Sequence, residues 1–183
     1  KKKKKKKKMG AQVIEEDGRI VAKADRLKGE EIHFSFPSVG ATENALLAAV
    51  LAQGTTVLYG AAREPEIEAL CCMLNCMGAR ITGGGTEVIC IKGVESLHDT
   101  EFRVPGDRIV AGTYLACVMA AGGEGVLTGI CPGEMETVFH VLGNMGAEIE
   151  EYDTGVKVCM KGRPRSVSLK TSPFPGFPTD LQS

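Results

Sequence analysis

The residues IEALCCMLNCMGA at positions 67–79 return 68 positions later as METVFHVLGNMGA at positions 135–147. In both stretches, apolar side chains recur with i, i+3, i+4, i+7 spacing, which places them on one face of a helix. Both stretches end in Met-Gly-Ala, and a glycine directly after a helix favours a left-handed cap because it has no Cβ. The repeat predicts that the chain contains two copies of one folding unit.

The neighbouring sequence repeats as well. ALLAAVLAQG at positions 45–54 matches TYLACVMAAG at positions 113–122, and both stretches are typical of helices. Short strands and hairpin turns are predicted at positions 55–58, 83–85 and 88–91, and again at 126–128, 153–155 and 157–160. Each copy therefore contains strand, helix, strand, helix, strand and strand, which is an α/β (α+β) unit with amphipathic helices on one face of a small sheet.

The two ends of the chain match incomplete copies of the same unit. Residues 13–23, with Asp17-Gly18 as the turn, resemble the closing hairpin of an earlier unit. Residues 167–171 resemble the first strand of a later unit. The sequence therefore predicts tandem βαβαββ units, with two complete copies, partial copies at both ends, and an origin as an internal fragment of a longer protein.

The charge of the chain depends on a run of eight lysines at its start. A lysine homopolymer has no apolar face to bury, so residues 1–10 are interpreted as a tag or placeholder; the alternative is a natural basic arm. Of 22 basic residues, 14 remain outside the run, against 23 acidic residues, a net charge of −9. This acidic body argues against nucleic acid or an anionic membrane as the main partner. No apolar run approaches the roughly 20 residues of a membrane span.

The seven cysteines form no CxxC pair, and several occupy apolar positions of predicted helices or strands. This pattern predicts buried free thiols in a reducing cytoplasm. The histidines His33, His98 and His140 are isolated from one another and from the cysteines, so no zinc or other metal site is expected.

Residues 36–44, with the sequence FPSVGATEN, resemble the sugar-nucleotide loop of the UDP-N-acetylglucosamine 1-carboxyvinyltransferases, in the enolpyruvyl transferase family. Three further stretches resemble blocks of the same family. They are AAREPEI at positions 61–67, FRVPGDRI at 102–109 and FPTDLQ at 177–182. The resemblance covers residues 11–183 without a gap, and four motifs in the same order make it specific.

The resemblance implies a cytoplasmic enzyme of two lobes, built from six such units in the inside-out α/β barrel arrangement. Residues 11–104 would belong to the first lobe, and residues 105–183 to the second. The implied reaction transfers the enolpyruvyl group of phosphoenolpyruvate to the 3-hydroxyl of UDP-N-acetylglucosamine, the first committed step of peptidoglycan synthesis. This step would connect the protein with cell-wall biogenesis, cell shape and cell division.

The same resemblance implies no metal and no organic cofactor. The expected partners are the two small-molecule substrates and the remainder of the parent enzyme, with no nucleic acid and no membrane. The residues that hold phosphoenolpyruvate and the family's reactive cysteine loop lie outside this sequence. The fragment alone is therefore expected to be inactive, because transition-state stabilisation needs groups from both lobes at once.

The first group of predicted site residues lies where a strand meets a helix expected at residues 42–52. Free backbone N–H groups at a helix start carry partial positive charge, which suits a diphosphate, and Gly40 permits close approach to the backbone. With the resemblance, this predicts the substrate-binding residues Phe36, Pro37, Ser38, Val39 and Gly40. Phe36 stands where some family members have lysine. The alternative is a plain strand-to-helix turn in which Thr42 is the N-cap.

The second group follows the proline-rich run at residues 173–178. Prolines stiffen a loop, so a side chain that follows them is held in place. The resemblance implies that Thr179 and Asp180 bind substrate and that Asp180 is the catalytic base that takes the proton of the sugar 3-hydroxyl. The alternative is that Asp180 serves only as a helix N-cap.

Two other sequence features are interpreted as structural. Arg63, Glu64 and Pro65 fit the start of a helix, because proline is favoured in the first turn and acidic residues complement the helix dipole. Cys131 lies in an inviting Ile-Cys-Pro-Gly stretch, but the repeat aligns it with Arg63 and not with the family's reactive cysteine loop.

Two other functions stay open at this point. The first is that of the shikimate-pathway enolpyruvyl transferase, which shares the unit architecture and the chemistry but has no nucleotide site. The second is a non-catalytic or RNA-binding module built from similar units. The acidic body and the lack of exposed aromatic stacking positions argue against this module.

Overall fold

The computed structural model describes residues 9–181. The lysine run at positions 1–8 and Gln182 of the predicted FPTDLQ motif lie outside the described residues. The described chain divides into two compact units, the first ending at Phe102 and the second beginning at Arg103. Each unit has its own hydrophobic core. Between residues 9 and 181, no helix combines the length and the hydropathy needed to cross a bilayer.

The first unit opens with the predicted hairpin. Strand β1 (Gln12–Glu16) pairs antiparallel with β2 (Arg19–Lys23), and Glu16 lies opposite Arg19. The two turn residues both have positive φ, 48° at Asp17 and 72° at Gly18. Positive φ at both central residues matches the right-handed twist of the flanking strands, which explains why Asp-Gly is favoured here. The predicted Asp17-Gly18 turn is confirmed.

A four-stranded sheet forms the body of the first unit. Its strands are β3 (Glu31–His33), β4 (Thr55–Tyr59), β5 (Arg80–Thr82) and β6 (Val88–Lys92), in the order β3-β4-β6-β5. Only β3 and β4 are parallel, and helix α1 (Val39–Ala49) connects them. Helix α2 (Pro65–Cys76) connects β4 to β5. This order is the predicted βαβαββ unit.

The core of the first unit contains the predicted face of α2. Ile67, Cys71 and Leu74 are buried, and Ile89 and Ile91 of β6 are fully buried in the same core. The spacing of the apolar residues on α2 therefore identified the face that packs on the sheet, because residues three and four apart share one side of a helix.

The second unit repeats most of this arrangement. Helix α3 (Arg108–Ala121) is followed by β7 (Gly123–Thr128), α4 (Glu136–Met145), β8 (Glu148–Tyr152) and β9 (Gly155–Met160). The strands form an antiparallel sheet in the order β7-β9-β8. The predicted face of α4, with Val138, Phe139 and Leu142, is buried.

Two strands of the predicted tandem units are missing from the described residues, namely the first strand of the second copy and the strand expected at residues 167–171. Residues 93–107 form no strand, so the second copy has a three-stranded sheet and the outer edge of β7 has no partner within its unit. Pro105 lacks the N–H that an inner strand donates, which disfavours a strand there. Residues 167–171 are also not a strand, and only Thr171 forms an isolated bridge, to Phe177. A strand needs a neighbour for its backbone hydrogen bonds, and this segment has one only at its end.

The cysteines are all free, but only Cys71 is buried. Burial raises the pKa of the Cys71 thiol to about 11. Cys72, Cys76, Cys117 and Cys131 are exposed, so the expectation of buried thiols is wrong for these four. The first three lie on the outward sides of their helices, and Cys131 lies at the start of a 3₁₀ turn. Within the described part of the chain, no three His, Cys, Asp or Glu side chains come close enough to hold a metal ion.

Both predicted glycine caps are confirmed. Gly78 after α2 has φ 95°, and Gly146 after α4 has φ 108°. A side chain at such a position strains the backbone because its Cβ crowds the following carbonyl, whereas a glycine inside a helix has no such constraint. Gly143 is of this second kind, since it lies within α4 and an added Cβ meets nothing within 4 Å.

We therefore predict opposite effects for two glycine-to-alanine changes in and after α4. Gly146→Ala should lower the free energy of unfolding by about 1–2 kcal/mol, because alanine disfavours positive φ. Gly143→Ala should raise it by about 0.5–1 kcal/mol, because alanine has the higher helix propensity. Urea unfolding followed by far-UV circular dichroism measures both changes. A shift of both midpoints in the same direction would contradict the assigned helix end.

Candidate functional site

The first candidate site is the start of α1. Ser38 is the N-cap residue, with φ −127° and ψ 116°, and its side chain caps no backbone amide. Val39 and Gly40 are the first two helical residues, three positions earlier than predicted. The Ser38 carbonyl accepts hydrogen bonds from the amides of Ala41 and Thr42. Within the described residues, the Val39 and Gly40 amides donate to no backbone or side-chain acceptor, as expected at a helix start.

Thr42 is not the N-cap, which corrects the alternative reading of this turn. Its side chain is 0% exposed, and its Oγ1 accepts a hydrogen bond from the Ala62 amide at 3.1 Å. Ala62 lies just before α2. The hydroxyl therefore connects the first turn of α1 to the residues that lead into α2.

Gly40 lies on an open side of the α1 start. A Cβ placed on Gly40 meets nothing closer than Glu43 Oε2, at 3.9 Å. Its φ is not in the left-handed region, so neither packing nor backbone conformation requires glycine here. The Gly40 carbonyl accepts a hydrogen bond from Asn44 Nδ2 at 2.6 Å, which holds this turn. The glycine leaves room for a molecule outside the protein to reach the backbone.

Phe36 and Pro37 precede this turn and are both exposed, Phe36 by 48%. Nearby, His33 and Tyr59 stack with ring centroids 4.5 Å apart and an interplanar angle of 10°. The two residues are register partners at the ends of the parallel strands β3 and β4. Sequence analysis missed this pair, because it becomes visible only when the two strands are known to be adjacent and in register.

The start of α2 has the predicted structural features. Pro65 occupies the first turn, and Glu66 and Glu68 lie where the helix dipole favours negative charge. Glu64 is the N-cap residue, is 9% exposed, and its Oε2 has no hydrogen-bond partner among the described residues. Arg63 Nη1 lies 3.8 Å from Glu87 Oε1, a distance at which an exposed ion pair adds little stability.

The second candidate site is the proline-rich loop of the second unit. Phe177 is 8% exposed and packs in the core, and its carbonyl accepts a hydrogen bond from the Ser172 amide at 3.0 Å. The Pro175 carbonyl accepts a hydrogen bond from Thr137 Oγ1 on α4. The Arg108 guanidinium on α3 lies 5.5 Å from the centre of the Phe174 ring. Both helices of the unit therefore hold the loop.

Thr179, Asp180 and Leu181 form a short 3₁₀ turn after this loop. Thr179 and Asp180 are exposed, and Asp180 is the middle residue of the turn and not its N-cap. Leu181 packs against α3 and the core of the unit. Cys131 is also exposed, at the start of a separate 3₁₀ turn, Pro132–Glu134. Its thiol thus belongs to the start of the α4 segment, as the repeat predicted.

The predicted site residues fall into two sets. Phe36, Pro37, Ser38, Val39 and Gly40 are adjacent at one turn of the first unit, and Thr179 and Asp180 are adjacent at one turn of the second unit. The first turn contains backbone amides with no partner among the described residues, and the second contains the exposed Asp180 with its carboxylate. The amides of the first turn can bind an anionic group, and the carboxylate of the second turn can accept a proton.

Comparison with known proteins agrees with the repeated unit and its motifs. The profile of the family described as EPSP synthase (3-phosphoshikimate 1-carboxyvinyltransferase) matches residues 5–183. The chain belongs to this family of enolpyruvyl transferases.

Curated relatives within this enolpyruvyl transferase family share about half of the residues. The chain is 48% identical over 174 residues to the UDP-N-acetylglucosamine 1-carboxyvinyltransferase of Mycolicibacterium paratuberculosis. The enzymes of that name from Nocardia farcinica and Desulforapulum autotrophicum are 52% and 50% identical. These alignments cover 95–96% of this chain but only 41–42% of each relative. The chain therefore spans less than half the length of the relatives it matches.

Solved structures of enolpyruvyl transferases have the same fold. The enolpyruvyl transferase NikO from Streptomyces tendae superposes with a TM-score of 0.80 at 25% identity, over 98% of this chain and 46% of that one. An EPSP synthase from Acinetobacter baumannii superposes with a TM-score of 0.60 at 24% identity, over 93% of this chain and 40% of that one. The second of these comparisons supports the fold alone.

The Thr42 hydroxyl gives a test of how the α1 start is held. Thr42→Val keeps the shape of the side chain but leaves the buried Ala62 amide without its acceptor, which should lower the free energy of unfolding by about 1–3 kcal/mol. Thr113→Val is the matched control, because Thr113 is exposed and its Oγ1 bonds only to Ile109 of its own helix; its effect should stay within about 0.5 kcal/mol. Urea titration of both variants measures the difference, and equal losses would argue against the Thr42 contact.

Proposed function

We propose that this chain is part of a cytoplasmic enzyme that transfers the enolpyruvyl group of phosphoenolpyruvate to the 3-hydroxyl of UDP-N-acetylglucosamine, the first committed step of peptidoglycan synthesis. The observation that carries the proposal is the open start of α1, where the Val39 and Gly40 amides have no partner among the described residues. The relatives at 47–52% identity, all named for this substrate, support the choice of UDP-sugar.

The start of α1 would bind the diphosphate of the nucleotide sugar. Its first turn contains no acidic residue, and free amides at a helix start carry partial positive charge that attracts a phosphate oxygen. Ser38 adds a hydroxyl that caps no amide of its own helix. The exposed Phe36 and Pro37 would lie beside the uridine.

Asp180 would act as the base. Its carboxylate is exposed, and among the described residues it forms no hydrogen bond and no ion pair, so both oxygens are available to a substrate hydroxyl. In the addition step, the sugar oxygen would bond to C2 of phosphoenolpyruvate as C3 takes a proton and the C2=C3 double bond is lost, and the hydroxyl proton would pass to Asp180. In the later elimination step, C3 would lose a proton and phosphate would leave, which restores the double bond. Thr179, next to it, would contact the same sugar. The groups that hold phosphoenolpyruvate would lie in the remainder of the enzyme.

A second candidate function has one observation in its favour. The matching family profile is described as EPSP synthase, whose substrate is shikimate 3-phosphate and not a nucleotide sugar. Titration calorimetry with UDP-N-acetylglucosamine and with shikimate 3-phosphate separates the two functions. Binding of shikimate 3-phosphate alone would replace the proposed function by this one.

The α1 start can be tested by a change at Gly40. Gly40→Ala adds a methyl group on the open side of the turn, where nothing in the protein lies closer than 3.9 Å, so folding should be unaffected. We expect affinity for UDP-N-acetylglucosamine to fall about tenfold, a loss of about 1.4 kcal/mol, because the methyl group keeps the diphosphate from the amides. Gly143→Ala in α4 is the control and should leave affinity unchanged. Equal affinity of the two variants in calorimetry would exclude the Gly40 amide as a ligand contact.

Asp180 can be tested by turnover in the full-length enzyme that contains this chain. Asp180→Asn keeps the shape but removes the base, so phosphate release should fall by about 10²–10⁴. Asp153→Asn, in the exposed turn between β8 and β9, is the control and should turn over normally. The 183-residue chain alone should release no phosphate above background. Normal turnover by Asp180→Asn would exclude Asp180 as the base.

A further inference from the structure

Gly112 is a buried glycine in the second turn of α3. Glycine destabilises a helix interior relative to alanine, because it loses more conformational freedom on folding. The φ of Gly112 lies outside the left-handed region, so the backbone does not require glycine. The reason for glycine at this position is therefore a close contact with another part of the unit.

That contact is the side chain of Leu181. A Cβ placed on Gly112 would lie 2.6 Å from Leu181 Cδ1, 3.1 Å from Cδ2 and 3.5 Å from Cγ, and no other residue comes as close. Real Cβ atoms essentially never approach another atom to less than 3.0 Å. Any side chain at position 112 would therefore force the end of the Leu181 side chain, its Cδ atoms, to move away from α3.

Leu181 is covalently next to Asp180 within the 3₁₀ turn, and its amide donates a hydrogen bond to the Pro178 carbonyl at 3.4 Å. On the other side, Phe177 is buried in the core of the unit. The backbone of Asp180 is thus held by one packed side chain before it and one after it. No described residue pairs with the Asp180 carboxylate, so among the described residues these two packed side chains are the contacts that hold the Asp180 backbone.

We propose that Gly112 and Leu181 form a positioning pair, which holds Asp180 at the location from which it accepts the substrate proton. The proposal rests on the proposed role of Asp180 as the base. Displacement of a catalytic group by about 1 Å costs on the order of 100-fold in rate, although the group itself is intact. Leu181 packs against the core of the unit, so the movement that a methyl group on α3 forces on its side chain would shift the backbone of the neighbouring Asp180.

A double-mutant cycle in the full-length enzyme tests the pair through Gly112→Ala, Leu181→Ala and the double variant. Gly112→Ala should lower kcat by about 10- to 100-fold and raise the KM for the UDP-sugar by a smaller factor, because the diphosphate contacts lie in the other unit and only the sugar contacts of Thr179 and Asp180 are displaced. In the Leu181→Ala background the same methyl group meets no clash, so its effect on kcat should fall to about twofold or less.

Gly125→Ala is the matched control for a merely structural effect. A Cβ on Gly125 of β7 would lie 2.9 Å from Val118 Cγ2, also on α3, but neither residue is next to Asp180. This variant should lower the melting temperature and leave kcat per folded enzyme unchanged. Equal loss of kcat in Gly112→Ala and Gly125→Ala would overturn the proposal. The proposal would also be overturned if Gly112→Ala lowered kcat by the same factor with and without the Leu181→Ala change.

Failure of the proposed function would be recognised separately. If the unmodified full-length enzyme does not turn over UDP-N-acetylglucosamine with phosphoenolpyruvate, the proposed function is wrong, and the double-mutant cycle has no kcat to compare. The 183-residue chain still reports the contact by NMR, through cross-peaks between the Gly112 Hα protons and the Leu181 methyls and through the Asp180 amide shift. Gly112→Ala should move the Asp180 amide and Gly125→Ala should not; an unmoved Asp180 amide in Gly112→Ala would overturn the positioning role.

Discussion

The parallel pairing of β3 with β4 is the constraint on which the first unit depends. Parallel strands end at the same edge of a sheet, so the helices that follow them begin side by side. Here His33 lies opposite Tyr59 at that edge, α1 begins a few residues later, and Ala62 before α2 binds the Thr42 hydroxyl of α1. The pairing of β3 with β4 therefore sets where α1 begins, and with it the position of the Val39 and Gly40 amides.

The repeat predicted the second helix of each copy better than the first. Ile67, Cys71 and Leu74 of α2, and their counterparts on α4, are buried as their spacing indicated. The first helices are apolar on nearly every side, so periodicity does not select a face. The sequence alignment pairs Leu46 with Tyr114, but Tyr114 is 61% exposed and Leu115 takes the buried place. The two copies also differ in the connection that follows the first helix, which has five residues between α1 and β4 but one between α3 and β7.

In the candidate sites too, features that depend on adjacent residues could be predicted from the sequence, whereas contacts between distant residues could not. A glycine-containing turn before an apolar helix predicted an anion-binding helix start. In the structure α1 starts three residues earlier than predicted, because Thr42 is not the N-cap and its hydroxyl forms a tertiary contact instead. The packing of Leu181 on Gly112 has no sequence signal, since neither residue belongs to a periodic pattern that includes the other. The missing strand at residues 167–171 has the same origin, because a strand exists only with its partner. At residues 93–107 the reason is local, since Pro105 has no N–H to donate to a neighbouring strand.

The outer edge of β7, which has no partner within the described part of its unit, has a consequence for the behaviour of the chain in solution. Unpaired amides and carbonyls along a strand attract strands of other molecules, and charge repulsion is one of the defences against such association. The eight lysines reduce that defence: they bring an acidic body close to neutrality, at a net charge of −1 and a pI of about 6.4. The lysine run thus lowers the colloidal stability of the protein. A chain without the eight lysines would carry a larger negative charge near neutral pH, and its copies would repel one another more strongly.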